Sequence, residues 1–332
     1  MTRPPCADPN RVAAFLAPFG LETAPRHPLA GDASCRRYQR ITPQTGPSLI
    51  LMQAPDPTRE LVPFVAIAQR LAPLGLSVPK IIAVDADAGL LLQEDFGAET
   101  FTGALDRGAA PAPLYRLATL ALITLHRSAI DTAGLPVFDS AAFLAQVALL
   151  PDMIFPGNDA VRLEFEAAWR AVMPLALAGP TSLLLRDYHA GNLMHLPERP
   201  GAAACGLLDF QDAGSGPAAY DLVSLVEDAR RDLPEDLARE VIAFYLAAFP
   251  ALDRSTFLVA GTVLAAIRHT RVIAVFLRLA RAGKRGYLQH VTRLWCYLDR
   301  HLAQPELAPV AGWFNHHLPP ARRAILITDT ER

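Results

Sequence analysis

Cysteine is scarce in this sequence: four among 332 residues, Cys6, Cys35, Cys205 and Cys296, with no Cys-x-x-Cys pair. That spacing indicates neither a zinc site nor a disulfide framework, and the thiols read as reduced, mostly packing residues. No charge of one sign dominates. Lys and Arg number 31 against 33 Asp and Glu, a formal net charge of −2, so nothing draws the chain to nucleic acid in general. Positive residues crowd locally from Arg268 to Arg285. The apolar fraction is high at 52%, much of it alanine and leucine. Even so, no uninterrupted apolar run approaches the ~18 residues of a membrane span. The N-terminus, MTRPPCADPN, lacks the charged-then-apolar order of a secretory signal, and no internal repeat is visible. These absences leave a protein expected in the cytoplasm, with no membrane or nucleic-acid partner and an oligomeric state left open. Its length suffices for one large domain or two lobes.

What is present reads as strands first and helices after. Asp8 as cap and Pro9 in the first turn start a helix over residues 8–20, which Gly20 stops. The stretch PLAGDASCRRYQRITPQTGPSLILMQAP reads as a strand, a tight turn at Gly31 and Asp32, a strand from Cys35 to Ile41, a loop, and a strand from Ser48 to Gln53. Gly31, Ala33 and Ser34 are small enough for backbone N–H groups to approach phosphate oxygens, as in a nucleotide-covering flap; an ordinary hairpin looks the same. Residues 57–73 carry helical spacing with Glu60 in the first turn. Two more strands, Lys80 to Val84 and Gly89 to Gln93, lead into Glu94-Asp95-Phe96-Gly97, a polar hinge whose backbone suits an adenine edge. The domain boundary falls there, giving a nucleotide-covering lobe over 1–96 and a catalytic and substrate-binding lobe over 97–332. Helices dominate from Pro113: Leu114 to Arg127, Ser140 to Leu150, Asp159 to Ala178, then about 219–228, 234–248, 254–280 and 284–303, with Pro151 and Pro156 as breaks. The fold class is α+β, a β-sheet N-lobe with a mainly helical C-lobe.

The chemistry concentrates in Leu183 to Phe210, LLLRDYHAGNLMHLPERPGAAACGLLDF. An Asp, an amide five residues on, and a second Asp closing a strand are the parts that align a hydroxyl against a magnesium-bound nucleoside triphosphate. Asp187 is the candidate base. Asn192 and Asp209 supply the hard oxygen ligands that Mg2+ takes, and a small hairpin through Leu193-Met194 and Gly206-Leu207-Leu208 is expected to bring that loop and strand end together. His189 is either a second acid or base or a buried histidine that holds the loop. Gln211 and Asp212 either face the acceptor or cap the turn, and Asp221 is an N-cap or a brace for the catalytic loop. Arg268 and Arg271, at i and i+3, share a helix face: they either grip an anionic substrate group or are solvated and paired with local acids. His126 reads as structural.

At these residues the sequence resembles the aminoglycoside phosphotransferase superfamily, a bilobal relative of the protein kinases, whose catalytic pattern stands here as RDYHAGN, LLDFQDA and GPAAYDL. Within it the chain looks most like the anomeric sugar kinases of bacterial cell-wall recycling, which act on N-acetylmuramate and N-acetylglucosamine. That likeness rests on AGDASCRRYQR, LILMQAPDP, SVPKIIAVDADAGLLLQEDFG, DFQDAGSGPAAYDLVSL and RHTRVIAVFLRLARAGKRGYLQHVTRLWCYL, from about residue 29 to 300 with a weaker middle. The resemblance implies a bilobal protein-kinase-like fold, ATP and Mg2+ as cofactors, and a small-molecule sugar as acceptor. It implies base Asp187, metal ligands Asn192 and Asp209, flap residues from Gly31 to Arg37 that include Arg36, and a hinge at Gln93, Glu94 and Phe96. Other acceptors in reach are an aminoglycoside, choline or homoserine; a reading from another class is a catalytically silent nucleotide-binding regulatory module.

Three places depart from the pattern. Leu185 stands where histidine is common. Met52 stands where protein kinases offer a phosphate-binding lysine, which shifts that charge role to Arg36, Arg37 or Arg40. The segment from Leu149 to Asn158, near the expected acceptor pocket, also differs.

Overall fold

The computed structural model describes residues 7–29 and 35–324. The turn expected at Gly31 and Asp32, with Ala33 and Ser34, lies outside the described residues. The chain divides into two compact units, residues 1–131 with 190–213 and residues 132–189 with 214–332.

In the first unit, helix α1 (Pro9–Leu16) begins where the Asp8 carboxylate accepts the Asn10 N–H at 3.0 Å, and the following turn ends at Gly20, whose φ of 65° suits a residue without a Cβ. Strands β1 (Arg26–Pro28), β2 (Arg37–Ile41), β3 (Leu49–Gln53), β4 (Ile81–Asp85) and β5 (Leu90–Glu94) form one antiparallel sheet in the order β1-β2-β3-β5-β4. Because side chains alternate along a strand, Ile41, Leu51, Leu90 and Leu92 meet Val12 and Leu16 of α1 on one face. Arg36, Tyr38, Met52, Leu91 and Gln93 fall to the other face by the same alternation and the register Tyr38 to Met52 to Leu91. Helix α2 (Pro57–Leu71), capped by Asp56, packs on β5. Helices α3 (Phe101–Asp106) and α4 (Pro111–Arg127) complete the run.

The second unit is mostly helical. Helices α5 (Ser140–Ile154) and α6 (Asp159–Ala176) precede strand β6 (Thr181–Leu184). The chain then contributes a hairpin to the first unit, β7 (Leu193–His195) against β8 (Cys205–Leu207), before strand β9 (Gly214–Pro217) pairs antiparallel with β6. Helices α7 (Ala219–Val226), α8 (Glu235–Ala247), α9 (Arg254–Arg281), α10 (Val291–Leu302) and α11 (Ala308–His317) follow.

Several expectations need correction. Pro151 does not end α5, because it falls in the last turn, where the ladder has few bonds left to lose, and the helix runs on to Ile154. The helix expected over 284–303 is a 3-10 turn, Arg285–His290, followed by α10. Of the described cysteines, Cys205 is buried in β8 as a packing residue, but Cys35 and Cys296 are exposed. The expectation that nothing matches a membrane span also changes: α9, 28 residues long, is long and apolar enough by length and composition. Its charges are too few to lower the average, although Arg268 and Arg271 interrupt every apolar run. It packs against α5, α6, α7 and α10 as the central helix of its unit.

Candidate active site

In the helical unit, β6 delivers the chain to Asp187 through a strained turn. Arg186 adopts φ of 70°, a left-handed conformation that costs a residue with a Cβ free energy unless its surroundings impose it. The imposing group is Asp221 near the start of α7, fully buried, whose carboxylate accepts the N–H groups of Leu185 at 2.6 Å and Arg186 at 2.8 Å. Ser224, one turn further, donates to the Arg186 carbonyl at 3.4 Å. Burial pushes Asp221 up to about 7, against the pull of those two N–H bonds. Of the two roles its position suggested, the structure uses the brace.

Burial also works to raise the Asp187 carboxyl, but Arg271, Arg186, His189 and Arg268 outweigh it and hold the group below the ordinary aspartate range. Asp187 is therefore ionised at neutral pH, with cations on several sides. Arg268 is buried and donates Nη1 to the Glu227 carbonyl at 3.1 Å, so it is not a solvated surface charge. His189 is buried, its Nε2 lies 3.3 Å from Arg230 Nη1, and burial lowers its pKa, so it is neutral at neutral pH and sits as a held group of the loop.

In the sheet-bearing unit, the hairpin β7–β8 brings Asn192 to Asp209 as its spacing required: Asn192 Nδ2 lies 3.5 Å from Asp209 Oδ2, and the Leu208 N–H donates to the Asn192 carbonyl at 3.0 Å. Gly206 in β8 is closely packed: a Cβ there would stand 2.9 Å from both Leu196 and Phe96, so those side chains would have to shift. Asp209 itself takes φ of 59°, a conformation Asp tolerates better than most residues. The next residue, Phe210, stacks on Phe64 of α2 with ring centroids 4.6 Å apart.

Arg36 meets this pair. Its Nη2 donates to Asp209 Oδ1 at 2.5 Å, its Nη1 to Gln211 Oε1 at 2.7 Å, and its Nε lies 4.0 Å from Glu60 Oε1 on α2. Burial opposes the Arg36 charge, yet Tyr38, Asp209 and Glu60 hold its pKa above the ordinary value. Gln211, expected at the acceptor or as a turn cap, instead accepts from Arg36 and donates to Asp209 Oδ1 at 3.2 Å. Asp212 is exposed. Arg37 lies on the α1 face of the sheet, lining a cleft with Arg11 and Gln53. Arg40 is tied to Asp95 at 2.5 Å and to the Gly97 carbonyl at 2.7 Å.

The hinge is tighter than its sequence suggested. Gln93 lies in the ladder between Ile50 and Ile81 with a buried side chain, and the Glu94 N–H donates to the Lys80 carbonyl at 2.9 Å. The Glu94 carboxylate accepts from Arg199 at 2.5 Å, and the same guanidinium covers the Phe96 ring at 4.9 Å. Only the chain from Asp95 onward leaves the ladder. Sequence reading placed Asp95 in the hinge but missed its partners: it accepts from Arg40, Ser48 and the Gly97 N–H. It also missed Arg199 and Arg230.

An antiparallel sheet whose buried Arg36 meets Glu60 and a solvent-reachable Asp209, and a helical unit that holds an ionised Asp loop on a buried acid, fit the class of kinase-fold phosphotransferases. This chain belongs to the phosphotransferase enzyme family, whose model matches residues 26–258. It is 35% identical to an N-acetylmuramate/N-acetylglucosamine kinase of Caulobacter vibrioides over 94% of this chain and 97% of that one. It is 37% identical to the kinase of the same name in Pseudomonas aeruginosa, over 85% of each chain. Among solved structures, a choline/ethanolamine kinase family protein from Mesorhizobium loti superposes with a TM-score of 0.61 at 17% identity, covering 92% of this chain and 99% of that one. That likeness shows the fold.

Proposed function

We propose that this protein is an ATP- and Mg2+-dependent cytoplasmic kinase that phosphorylates an amino sugar, at the anomeric hydroxyl of N-acetylmuramate or N-acetylglucosamine. The class of acceptor follows from the relatives' names. The observation that carries it for this chain is the surround of Asp187: Arg271, Arg186, His189 and Arg268, with Arg230 beside His189. Such a surround attracts an anionic sugar, tolerates a neutral one, and repels a polycationic aminoglycoside or a quaternary ammonium alcohol.

In this reading Asp187 accepts a hydrogen bond from the acceptor hydroxyl and orients it in line with the γ-phosphoryl group, taking the proton late. Its lowered pKa makes it a weak base suited to orientation. The donor set at Asn192 and Asp209 fits magnesium: two hard oxygen-bearing groups side by side, with the Asp209 side chain 34% exposed and reachable from solvent. A bound ion would neutralise phosphate charge there. Arg36 would hold phosphate oxygens, Gly31, Ala33 and Ser34 would cover them, and the chain after Glu94 would meet the base. The functional boundary at residues 96 and 97 divides the nucleotide-covering lobe from the rest.

ADP release measured across N-acetylmuramate, N-acetylglucosamine, glucose and kanamycin tests the reading. Turnover on the first two is expected, and Asp187→Asn should lower kcat by about 10²–10⁴-fold. Turnover on kanamycin alone would overturn the sugar assignment.

A further inference from the structure

We infer that Glu227, His269 and His301 form a binding site for a divalent transition-metal cation, zinc by the chemistry of its ligands, which joins three helices of the helical unit. Glu227 caps the C-terminus of α7, His269 lies in the middle of α9, and His301 lies in the last turn of α10. Glu227 Oε2 is 2.5 Å from His269 Nε2 and 2.9 Å from His301 Nε2, and one ligand atom from each residue lies within 4.8 Å of the other two. The two rings are near parallel, 22° apart, with centroids at 5.9 Å. Two imidazoles and one carboxylate are a recurring zinc set that leaves a fourth position for solvent. Here that position has a way in, because His269 is fully buried while Glu227 and His301 keep 17% and 16% of their side chains exposed.

Charge supports the assignment. Among the described residues the Glu227 carboxylate pairs with no lysine or arginine; its partners are the two histidines. Arg268, next in chain to His269, bonds the Glu227 carbonyl instead. A partly buried carboxylate that faces two imidazoles, with no cationic lysine or arginine paired to it among the described residues, carries a charge that a divalent cation would neutralise. No single stretch of sequence reveals this set, since its members stand 42 and 74 residues apart from Glu227.

Calorimetric titration of the chelator-stripped full chain with Zn2+ tests the site. One ion per chain is expected, with a melting temperature raised by roughly 5 °C at a hundredfold excess over the Kd. Co2+ in place of Zn2+ should give the visible absorption of a four-coordinate nitrogen and oxygen site. His301→Ala should abolish both signals, and the isosteric Glu227→Gln, which keeps a hydrogen-bond acceptor, should weaken binding at least tenfold. His317→Ala, at the separate surface pair with Glu164, should change neither. Absence of binding would overturn the site, as would equal binding by wild type, His301→Ala and Glu227→Gln, the signature of an adventitious ion only.

Discussion

Met52 occupies a buried place on β3, and the cations on its side of the sheet are Arg36, one residue before β2, and Arg40. The alternation of side chains decides among the three arginines that were candidates for the charge role. Arg37 falls to the α1 face, and Arg40 is held by Asp95, which leaves Arg36 between Glu60 and Asp209. A cation paired with an acid on the following helix is the arrangement protein kinases build from a strand lysine. Arg36→Met should therefore lower kcat/KM for ATP by about 10²–10³-fold, the usual loss when one preorganised phosphate or oxyanion donor is removed. Adding Met52→Lys to that variant should restore a measurable part, because the new ammonium would enter from the same face. Wild-type kinetics in Arg36→Met, or no recovery in the double variant, would assign the role elsewhere. Asp187, Asn192 and Asp209 were legible because their spacing is local, five and seventeen residues. The Arg36 cluster was not, because its partners stand 173 and 175 residues away and nothing in a spacing pattern links them.

At the scale of elements, the Asp187 loop has its conformation set by a helix that follows it by more than thirty residues. Asp221 satisfies two backbone N–H groups with two oxygens. Asp221→Asn keeps one acceptor oxygen and turns the other into a donor that faces a donor, so one buried N–H loses its partner at a cost of roughly 1–3 kcal/mol. Denaturant unfolding should show that loss, and kcat should fall because Arg186 is no longer held at positive φ. Unchanged midpoint and turnover would mean that the turn is held by other contacts. The elements most readable in advance are those with a side-chain cap: Asp8, Asp56 and Asn158 each accept from the first turn of a helix. Helices α3 and α11 escaped notice, the first despite its Thr100 cap, since each is short and carries an internal glycine, Gly103 or Gly312, that dilutes the helical pattern. The split before α10 is equally silent, because Gly286 lies inside a run whose apolar spacing continues across it.

At the scale of the whole molecule, α9 gives the helical unit its centre and also its acid sensitivity. Composition alone marks the helix as apolar enough for a bilayer, whereas its packing among α5, α6, α7 and α10 explains the same composition as core. Within that core lies His269, with a folded pKa of about 4 against roughly 6.5 for an unperturbed histidine. Between those values the unfolded chain binds a proton that the folded chain refuses, so the stability present above about pH 6.5 drains away as the pH falls toward 4. Glu227 adds in the same direction, since its carboxyl is held low and its contribution is lost as acid protonates it. Asp221 opposes them: raised to about 7, it contributes most in acid and loses that contribution as the pH rises through neutrality. A variant separates these terms better than the wild-type curve does. Urea unfolding of chelator-stripped wild type and His269→Gln, compared from pH 7.5 to pH 4.5, should show the wild type's advantage shrinking steadily as the pH falls, with most of the change below about pH 6.5. A difference that stays constant with pH would mean that His269 titrates normally in the folded protein, and would place the acid sensitivity outside α9.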